Sequence, residues 1–506
     1  MEKISPKPQK GFFYYIEKGG NALPHPALLF GLFALAVFVI SGIGSLLGWH
    51  GIHPATGEQI DVVNLISREG IHRIMLDMVN NYTGFAPLGI VMVALLGIGV
   101  AENSGLIKTA INAMLLKTPP KSITFMIIFT GLLSNAASDL GYLLIIPMAG
   151  VIFHSMGRNP LVGMAAAFAG VSGGFSANIL ISTLDPMLAG ITTEAAHILD
   201  ADYYVLPTAN YYFLAISTFL IAIMGTVVTE KWTEPRMGRY EGEVEREPIT
   251  QLTALEKKGM KRAGLVILGW TVLFCVGLIP ENGILRGNDG SLLHSPVLKG
   301  FISLLFFTMA TAGAVYGFTT GKYKKSGDVI TGMNEGFKPL VSYLVLVFFA
   351  AQFVAWFRWS NLGLLIAING AGLLQNANIG LIPLVIIFVI FAAFMNFFIG
   401  SASAKWALIG PVFVPIFMLL GYSPELSQAV FRIGDSITNI VSPMMSFFAL
   451  IIVYFQKYDK NAGIGTIIAT MLPFTIAFFI GWTALLIGWI LLGLPLGPGV
   501  SLYYGM

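Results

Sequence analysis

The chain has 506 residues, of which 56% are hydrophobic and only 11% are charged, less than half the charged fraction of an ordinary soluble domain. The net charge of +3 arises from 29 Lys and Arg against 26 Asp and Glu. This composition excludes a soluble enzyme, a disordered chain and a fibrous protein, and it provides no basic surplus for nucleic acid. Because the apolar stretches are continuous rather than alternating, we predict an all-α polytopic membrane protein instead of a β-barrel.

The N-terminal segment and the single cysteine add two expectations. The first 25 residues contain four lysines and no apolar core, so we expect no cleavable signal peptide and targeting by the first span near Ala27. Cys275 lies in an apolar run, where we expect a small core residue. A single cysteine leaves no intrachain disulfide.

Hydropathy predicts seven uninterrupted spans and three interrupted apolar stretches. The interrupted stretches, which contain Ser, Asn, Gly, Asp and Pro, cover 122–154, 160–187 and 380–454. The uninterrupted windows fall near 27–48, 86–101, 208–228, 263–279, 297–318, 338–357 and 464–492.

Lysine and arginine counts predict the orientation of the spans. The N-terminal arm and the 229–262 and 319–338 loops hold four, eight and four of these residues, whereas 188–207 and 493–506 hold none. The positive-inside rule therefore places the first three in the cytoplasm and the last two outside. These assignments agree only if 122–154 enters and leaves on the inner side and 380–420 on the outer side. We predict nine spans plus two re-entrant hairpins, with tips near Ser134–Asp139 and Gly400–Lys405.

An internal repeat accompanies this topology. The pattern Gly-Phe-x-Pro-Leu at 84–88 recurs at 336–340, and nine later positions match at a common offset of 264. The two copies point in opposite directions, which is the inverted repeat of many secondary transporters and predicts a site where the hairpin tips meet broken helices. A chance match of small and apolar residues in a biased composition is the alternative.

Polar residues cluster at the tip of the first hairpin and in the helix that follows it. Hydroxyl and amide side chains at a helix break supply oxygen ligands for Na⁺, and half-helix N-termini favour carboxylates. A polar helix–helix contact or a close-packed small-residue face is the alternative. Asp185, before Pro186, belongs either to the substrate site or to an outer helix end. The candidates are Ser134, Asn135, Ser138, Asp139 and Ser172 for a cation, and Asn178 and Asp185 for substrate.

The second half carries the strongest polar signal. Arg432 and Asp435 lie three residues apart, so they share one helix face and can pair. Burying a charge at the bilayer centre costs about 2.5–3.5 kcal/mol, and the guanidinium fork matches a carboxylate; a structural ion pair is the alternative. Trp406 is either an interfacial anchor or a ring that stacks on an aromatic ligand, and Lys405 is expected to snorkel. Ser401, Ser436 and Asn439 are further cation-ligand candidates.

Short motifs along nearly the whole chain are similar to those of one known family. They lie at 24–26, 84–89, 191–196, 234–236, 282–286, 352–355, 359–361, 431–433, 435–436 and 493–499. The chain resembles the p-aminobenzoyl-glutamate transporter family (AbgT). The resemblance implies a homodimer with nine transmembrane helices and two hairpins per subunit, an inner core for dimerisation and an outer core for transport. It also implies pocket residues at Asp185, Ser403, Trp406, Pro424, Arg432, Asp435 and Pro443, with Lys405 where an uncharged residue is expected in an uptake member.

The repeat and the resemblance together predict the organisation of the chain. Residues 1–115 and 263–378 are assigned to the inner core, which serves as scaffold and dimer contact. Residues 116–230 and 379–506 are assigned to the two transport parts, each with one hairpin, and 231–262 to a cytoplasmic linker.

The leading functional hypothesis is a secondary active transporter of p-aminobenzoyl-glutamate or a similar aromatic amido-dicarboxylate, with elevator-like alternating access. Uptake of a dianion against 100 mV costs about 4.6 kcal/mol, so it requires a coupled cation, Na⁺ or H⁺. No other cofactor is expected. Proton-driven efflux of sulfonamide-type antimetabolites is the alternative, and a channel is a more distant one.

Missing sequence motifs and the predicted topology bear on the class of protein and on its location. The chain lacks Walker A and H-E-x-x-H sequences, which argues against an ATP-driven pump or an enzyme. We expect a bacterial inner-membrane protein with a cytoplasmic N-terminus and a periplasmic C-terminus. Its expected partners are a small-molecule substrate, the lipid bilayer and a second copy of the chain, without nucleic acid.

Overall fold

The computed structural model describes residues 24, 26–52, 57–116, 118–135, 141–242, 244, 251–288, 290, 292, 295–338 and 340–505. Within these residues the regular elements are helices, apart from one short antiparallel strand pair. The elements in chain order are α1 (Pro26–Leu46), β1 (His50–Ile52), β2 (Gln59–Asp61), α2 (Arg68–Thr83), α3 (Ala86–Ser104), α4 (Leu106–Leu116), α5 (Ile123–Ser134), α6 (Ile146–Ser155), α7 (Pro160–Phe168), α8 (Leu184–Ala196), α9 (Tyr211–Val228), α10 (Glu234–Met237), α11 (Ala254–Leu278), α12 (Pro296–Lys299), α13 (Phe301–Thr320), α14 (Ser326–Phe337), α15 (Leu340–Trp359), α16 (Leu362–Asn376), α17 (Leu381–Met395), α18 (Ala402–Leu419), α19 (Pro424–Asn439), α20 (Phe448–Gln456) and α21 (Ile464–Leu491).

Seven helical segments among the described residues are long and apolar enough to cross a bilayer. An eighth is added if α15 and α16, which are bent by 69° at a short break, form one span. These segments confirm the all-α polytopic membrane fold, whereas the count of nine spans plus two hairpins and the orientation stay predictions. The seven are Ala27–Leu46, Arg68–Ser104, Tyr211–Met237, Ala254–Leu278, Phe301–Thr320, Ala402–Leu419 and Ile464–Leu491.

Four apolar helical segments are too short to cross alone: Pro120–Ser134, Gly141–Ser155, Pro160–Gly173 and Leu381–Met395. A 15-residue helix is about 22 Å long, against a hydrocarbon core of about 30 Å. These lengths suit the hairpin arms and half-helices that the interrupted stretches predict.

Two helices stop inside the packed core and define the broken helices of the molecule. In the first, α7 continues as a π-helical turn at Ala169–Gly173, and an irregular segment follows at 174–183 before α8. In the second, α19 ends at Asn439, and an irregular segment at 440–447 precedes α20. Irregular backbone at membrane depth is tolerated only where protein or water covers it, so both breaks mark the expected site.

Several expectations about boundaries are wrong. The 188–207 segment is not a loop throughout, because α8 continues to Ala196. Helix α11 begins at Ala254, before the predicted span at 263, because its charged first turns extend the helix beyond the apolar window. Helix α16 is absent from the predicted elements. Cys275 is exposed on α11 and is not a core residue.

The described helices form two packed groups. Helices α3, α11, α13 and α14 pack on one another through small clusters of buried residues. The larger core joins α5–α9 with α17–α21 and also includes α1 and α15. The groups meet where α8 packs against α3. Both breaks, and those predicted site residues that the structure describes, therefore belong to the larger group.

Positions paired by the predicted repeat share local geometry. Gly157 and Gly421 both have positive φ, 76° and 84°, a conformation that glycine adopts without strain. Each precedes a capped helix with proline in its first turn, α7 and α19. Gly170 packs against α5, the first arm of the hairpin in its half, and Gly434 packs against α17, the first arm of the other hairpin. A Cβ added to either glycine would come within 3 Å of a backbone oxygen of that arm. These matches support the repeat, and its inverted topology stays a prediction.

Candidate functional site

Asp185 opens α8 directly after the first break. Its side chain is buried, and its Oδ2 accepts hydrogen bonds from the backbone N of Ser182 at 2.6 Å and from its Oγ at 2.8 Å. A helix N-terminus favours a carboxylate. Asp185 therefore lies in the packed core, in the first turn of the helix after the break. It is a helix-end residue, and its membership of the substrate site stays a prediction.

Arg432 on α19 is the partner of Asp185. Its Nη1 donates to Asp185 Oδ1 at 2.6 Å, and the two side chains are 2% and 6% exposed. The expected pair between Arg432 and Asp435 on one helix face is wrong, because each residue finds its partner on a neighbouring segment. Arg432 Nε is buried without a hydrogen-bond partner among the described residues. A buried guanidinium N–H thus remains available for an acceptor.

A second buried ion pair joins Lys405 and Asp435. Lys405 is fully buried, so the expectation that it snorkels is wrong. Its ammonium contacts Asp435 Oδ1 and the amide oxygen of Asn396. The amide nitrogen of Asn396 lies 2.7 Å from the backbone oxygen of Asp435 and 2.8 Å from Asn439 Oδ1. This network fastens the start of α18 and the end of α17 to α19.

Trp406 is enclosed by protein. Its indole N–H donates to Thr192 Oγ1 at 2.8 Å, and its ring stacks on Phe431 with centroids 4.7 Å apart. Thr192 Oγ1 also accepts from Gln428 Nε2 at 2.8 Å. The enclosed ring does not fit an interfacial anchor. Because Phe431 covers one ring face in this conformation, stacking of Trp406 on an aromatic ligand stays a prediction.

A cavity of about 260 Å³ lies between the tip of the second hairpin and the two breaks. Its volume is slightly below the roughly 300–1,000 Å³ typical of drug-sized ligands, so it suits a small molecule. Hydroxyl and amide groups face it from the hairpin tip and α19, and aromatic rings cover its other side. The lining residues are Tyr142, Phe175, Thr183, Leu184, Met187, Gly400, Ser401, Ala402, Ser403, Asn439, Met445, Ser446 and Phe447.

The cavity contains three of the predicted site residues, Ser401, Ser403 and Asn439. Ser401 caps α18 by accepting from the backbone N of Ala404, and its Oγ lies 3.2 Å from Ser403 Oγ. Asp185 follows the lining residue Leu184 in sequence, but neither Asp185 nor Arg432 is among the lining residues. The structure thus brings Ser401, Ser403 and Asn439 together at the cavity, and the ion pair lies outside its lining.

The polar residues of the first hairpin are less fully bonded. Ser134 Oγ donates to the backbone oxygen of Gly131 at 2.6 Å. The buried side-chain amide of Asn135 has no partner for either polar atom within the described part of the chain. Ser138 and Asp139, two of the cation-ligand candidates, lie outside the described residues.

Of the remaining candidates, Ser436 connects the two broken helices and Ser172 connects the first of them to the first hairpin. Ser436 Oγ accepts from the backbone N of Ser176 at 3.1 Å, and Ser172 Oγ accepts from Tyr142 at 3.1 Å. Asn178 Oδ1 accepts from the backbone of the same break, and its Nδ2 is buried without a partner in the described residues. Open polar atoms thus occur on the first break as well as on α19.

Pro424 and Pro443 flank α19 at its opposite ends. Pro424 occupies the first turn, behind a capping Ser423, and Pro443 lies in the second break. Neither lines the described cavity. The described residues contain no group of three or more His, Cys, Asp or Glu side chains that could hold a metal ion.

Sequence reasoning missed three residues of this network: Asn396, Thr192 and, as a buried partner, Lys405. Asn135 ends the first arm of the first hairpin, and Asn396 ends the first arm of the second hairpin. The repeat therefore provided a signal for Asn396. Thr192 carried no signal, because its bonds to Trp406 and Gln428 exist only in the tertiary structure.

Comparison with known proteins agrees with this architecture. Residues 11–504 match the sequence model of the AbgT transporter family. The p-aminobenzoyl-glutamate transport protein of Escherichia coli (strain K12) is 36% identical over 502 residues, which cover 99% of each chain.

Two solved structures are similar over nearly the whole molecule. The YdaH transporter of Alcanivorax borkumensis, described as having an unusual topology, is 42% identical with a TM-score of 0.90. The match covers 94% of this chain and all of the YdaH chain. MtrF of Neisseria gonorrhoeae, described with a class of antimetabolite efflux pumps, is 46% identical with a TM-score of 0.92. The match covers 97% of this chain and all of the MtrF chain. With its family model, its relatives and its fold in agreement, the chain belongs to the AbgT family of membrane transporters.

Proposed function

We propose that the protein is a secondary active transporter of p-aminobenzoyl-glutamate or a similar aromatic amido-dicarboxylate. The relative from Escherichia coli supports the substrate class, and family membership implies a transporter rather than an enzyme. The observation that carries the proposal is Arg432, a buried guanidinium whose Nε has no partner among the described residues. Its ion-pair partner, Asp185, follows the cavity-lining Leu184 in sequence.

The site chemistry suits a carboxylate with a polar amide. The guanidinium of Arg432 presents planar donors that match a carboxylate, and its bond to Asp185 leaves Nε free for a second acceptor. Ser401 and Ser403 place hydroxyl groups on the cavity wall for an amide or an amine. Tyr142 and Phe447, which stack with ring centroids 4.4 Å apart, provide an aromatic wall.

Charge balance supports coupling to a cation. The two buried ion pairs contribute two positive and two negative charges, so the carrier without substrate moves no net charge from these groups. A dianion adds two negative charges, and its entry costs about 4.6 kcal/mol at 100 mV. We infer symport with Na⁺ or H⁺, an elevator-like motion of the hairpin-bearing group and a homodimer built on the α3, α11, α13 and α14 group.

Uptake of labelled p-aminobenzoyl-glutamate into proteoliposomes tests this proposal. We expect accumulation that depends on an imposed Na⁺ or H⁺ gradient and that is lost in Arg432→Ala. The matched control is Arg239→Ala, because Arg239 is exposed. Uptake without gradient dependence, or unchanged uptake by Arg432→Ala, would overturn the proposal. Flux that only equilibrates the substrate would indicate a channel.

Efflux of sulfonamide-type antimetabolites is the second candidate. One observation favours it: the 46% identity to MtrF, which is described with a class of antimetabolite efflux pumps. Cells that lack other pumps should then become more tolerant of sulfonamides when they express the protein, and this gain should disappear with Arg432→Ala. Unchanged tolerance would contradict this second function.

A further inference from the structure

The two hairpins differ in charge at positions that the repeat pairs. At the common offset of 264, Gly141 corresponds to Lys405 and Val171 corresponds to Asp435. A Cβ on Gly141 would come within 3 Å of Ser134 Oγ and of Val171, so no side chain fits there without a shift. The first half therefore lacks both members of the buried ion pair that the second half contains.

The hairpins nevertheless end their first arms in the same way. Asn135 caps α5, and Asn396 caps α17. The amide oxygen of Asn396 accepts a hydrogen bond from the ammonium of Lys405. The buried side-chain amide of Asn135 has no partner among the described residues. Within the described residues, the carboxamide of Asn396 thus contacts a positive charge, whereas that of Asn135 does not.

The position of Lys405 is electrostatically unfavourable unless oxygen atoms hold its charge. It lies in the first turn of α18, where the helix dipole disfavours a cation. Its full burial adds a desolvation cost. A carboxylate oxygen of Asp435 and the amide oxygen of Asn396, at the C-terminal end of α17, offset these costs. Oxygen ligands near half-helix C-termini are also the environment that carriers use for Na⁺.

We propose that Lys405 is a tethered cation whose ammonium permanently occupies, at the second hairpin, the oxygen cradle that an exchangeable monovalent cation would otherwise fill. This inference rests on the proposed cation-coupled transport and assigns a role to one residue within it. The ammonium holds the hairpin tip to α19 in every step, and the exchangeable cation binds elsewhere. Removing the ammonium should turn the cradle of Asp435 and Asn396 into a Na⁺ site.

Counting bound Na⁺ tests the proposal without requiring transport. The purified full-length protein, Lys405→Met and the double variant Lys405→Met/Asp435→Asn are equilibrated with ²²Na⁺ in choline buffer. We expect Lys405→Met to bind one Na⁺ per subunit more than the unaltered protein and the double variant to lose that additional ion. The matched control, Lys261→Met, removes an exposed lysine and should bind as the unaltered protein does.

Transport provides a second readout. Uptake by Lys405→Met should be stimulated about tenfold by external Na⁺ relative to choline, which is within the usual range of coupling between two ligands. The double variant should show no such additional stimulation. A folded Lys405→Met that binds no additional Na⁺ would overturn the proposal.

Folding of the variant is itself informative. If Lys405→Met folds in NaCl or ammonium chloride but not in choline chloride, a free cation replaces the ammonium, which supports the proposal. Failure to fold in all three salts overturns it. Absence of gradient dependence in the unaltered protein would instead refute the proposed function, since Na⁺ counting on Lys405→Met does not depend on it.

Discussion

Arg432 donates a 2.6 Å hydrogen bond to Asp185, although 247 positions separate the two residues in the chain. The bond joins the start of α8, after the first break, to the middle of α19, before the second. Each predicted half of the molecule thus neutralises a charge of the other half.

Breaking this ion pair should destabilise the protein. Arg432→Gln leaves the buried carboxylate of Asp185 with the two Ser182 bonds alone, and an uncompensated buried charge costs about 3–5 kcal/mol. Thermal unfolding in detergent should show a clear loss of Tm. The double variant Arg432→Gln/Asp185→Asn, which removes both charges, should recover most of the stability but none of the transport. A single variant as stable as the unaltered protein would contradict this prediction.

The hydroxyl group of Thr192 should matter more than the indole N–H of Trp406. Thr192→Val removes the acceptor of both Trp406 and Gln428 and leaves two buried donors unpaired, each worth about 1–3 kcal/mol. Trp406→Phe removes one donor and keeps the bond from Gln428. We therefore expect a lower free energy of unfolding for Thr192→Val than for Trp406→Phe. Thr226→Val is the control, because among the described residues the Thr226 hydroxyl bonds within its own helix, to the backbone oxygen of Ala222. The reverse order of the two stabilities would contradict the assigned bonds.

A methyl group at Gly400 should disturb the cavity. A Cβ at this position would overlap the backbone oxygen of Met444 in the second break, and overpacking typically costs about 1–3 kcal/mol. We expect Gly400→Ala to reduce uptake sharply, with a moderate loss of Tm, since the hairpin tip must move away from the break. Gly380→Ala is the matched control, because no atom lies within 4 Å of its added Cβ. Equal effects of the two substitutions would argue against close packing at the tip.

Stability should fall in acid partly through Asp328. The backbone N–H groups of Lys324 and Lys325 hold the pKa of this carboxyl below its ordinary value of 3.8. Because the folded pKa is the lower one, the stabilisation is present above the ordinary value and is lost as pH falls through the folded pKa. Asp328→Asn should therefore lower Tm at neutral pH, and the two Tm curves should converge in acid. Parallel curves from pH 7 to pH 2 would contradict this.

Much of the fold was predictable because a bilayer restricts the available structures. Backbone groups in lipid must be satisfied within helices, so apolar windows predicted α1, α13 and α21 closely, and interruptions predicted both breaks. Helix ends were less predictable. The charged first turns of α11 and the continuation of α8 to Ala196 lie outside the apolar windows, although hydrogen bonding continues the helix there.

The sequence alone determined that this is an all-α membrane protein with a few charges at depth, since composition and hydropathy depend only on local residues. It also placed Asp185, Arg432 and Asp435 among the site candidates. Only the tertiary structure decided which charges pair, because helix periodicity reports neighbours three or four positions apart. The partners of Arg432 and Asp435 are instead on segments distant in the chain. Lys405 illustrates the difference: composition favoured an exposed ammonium, and the packing of α17, α18 and α19 buried it between two oxygen ligands.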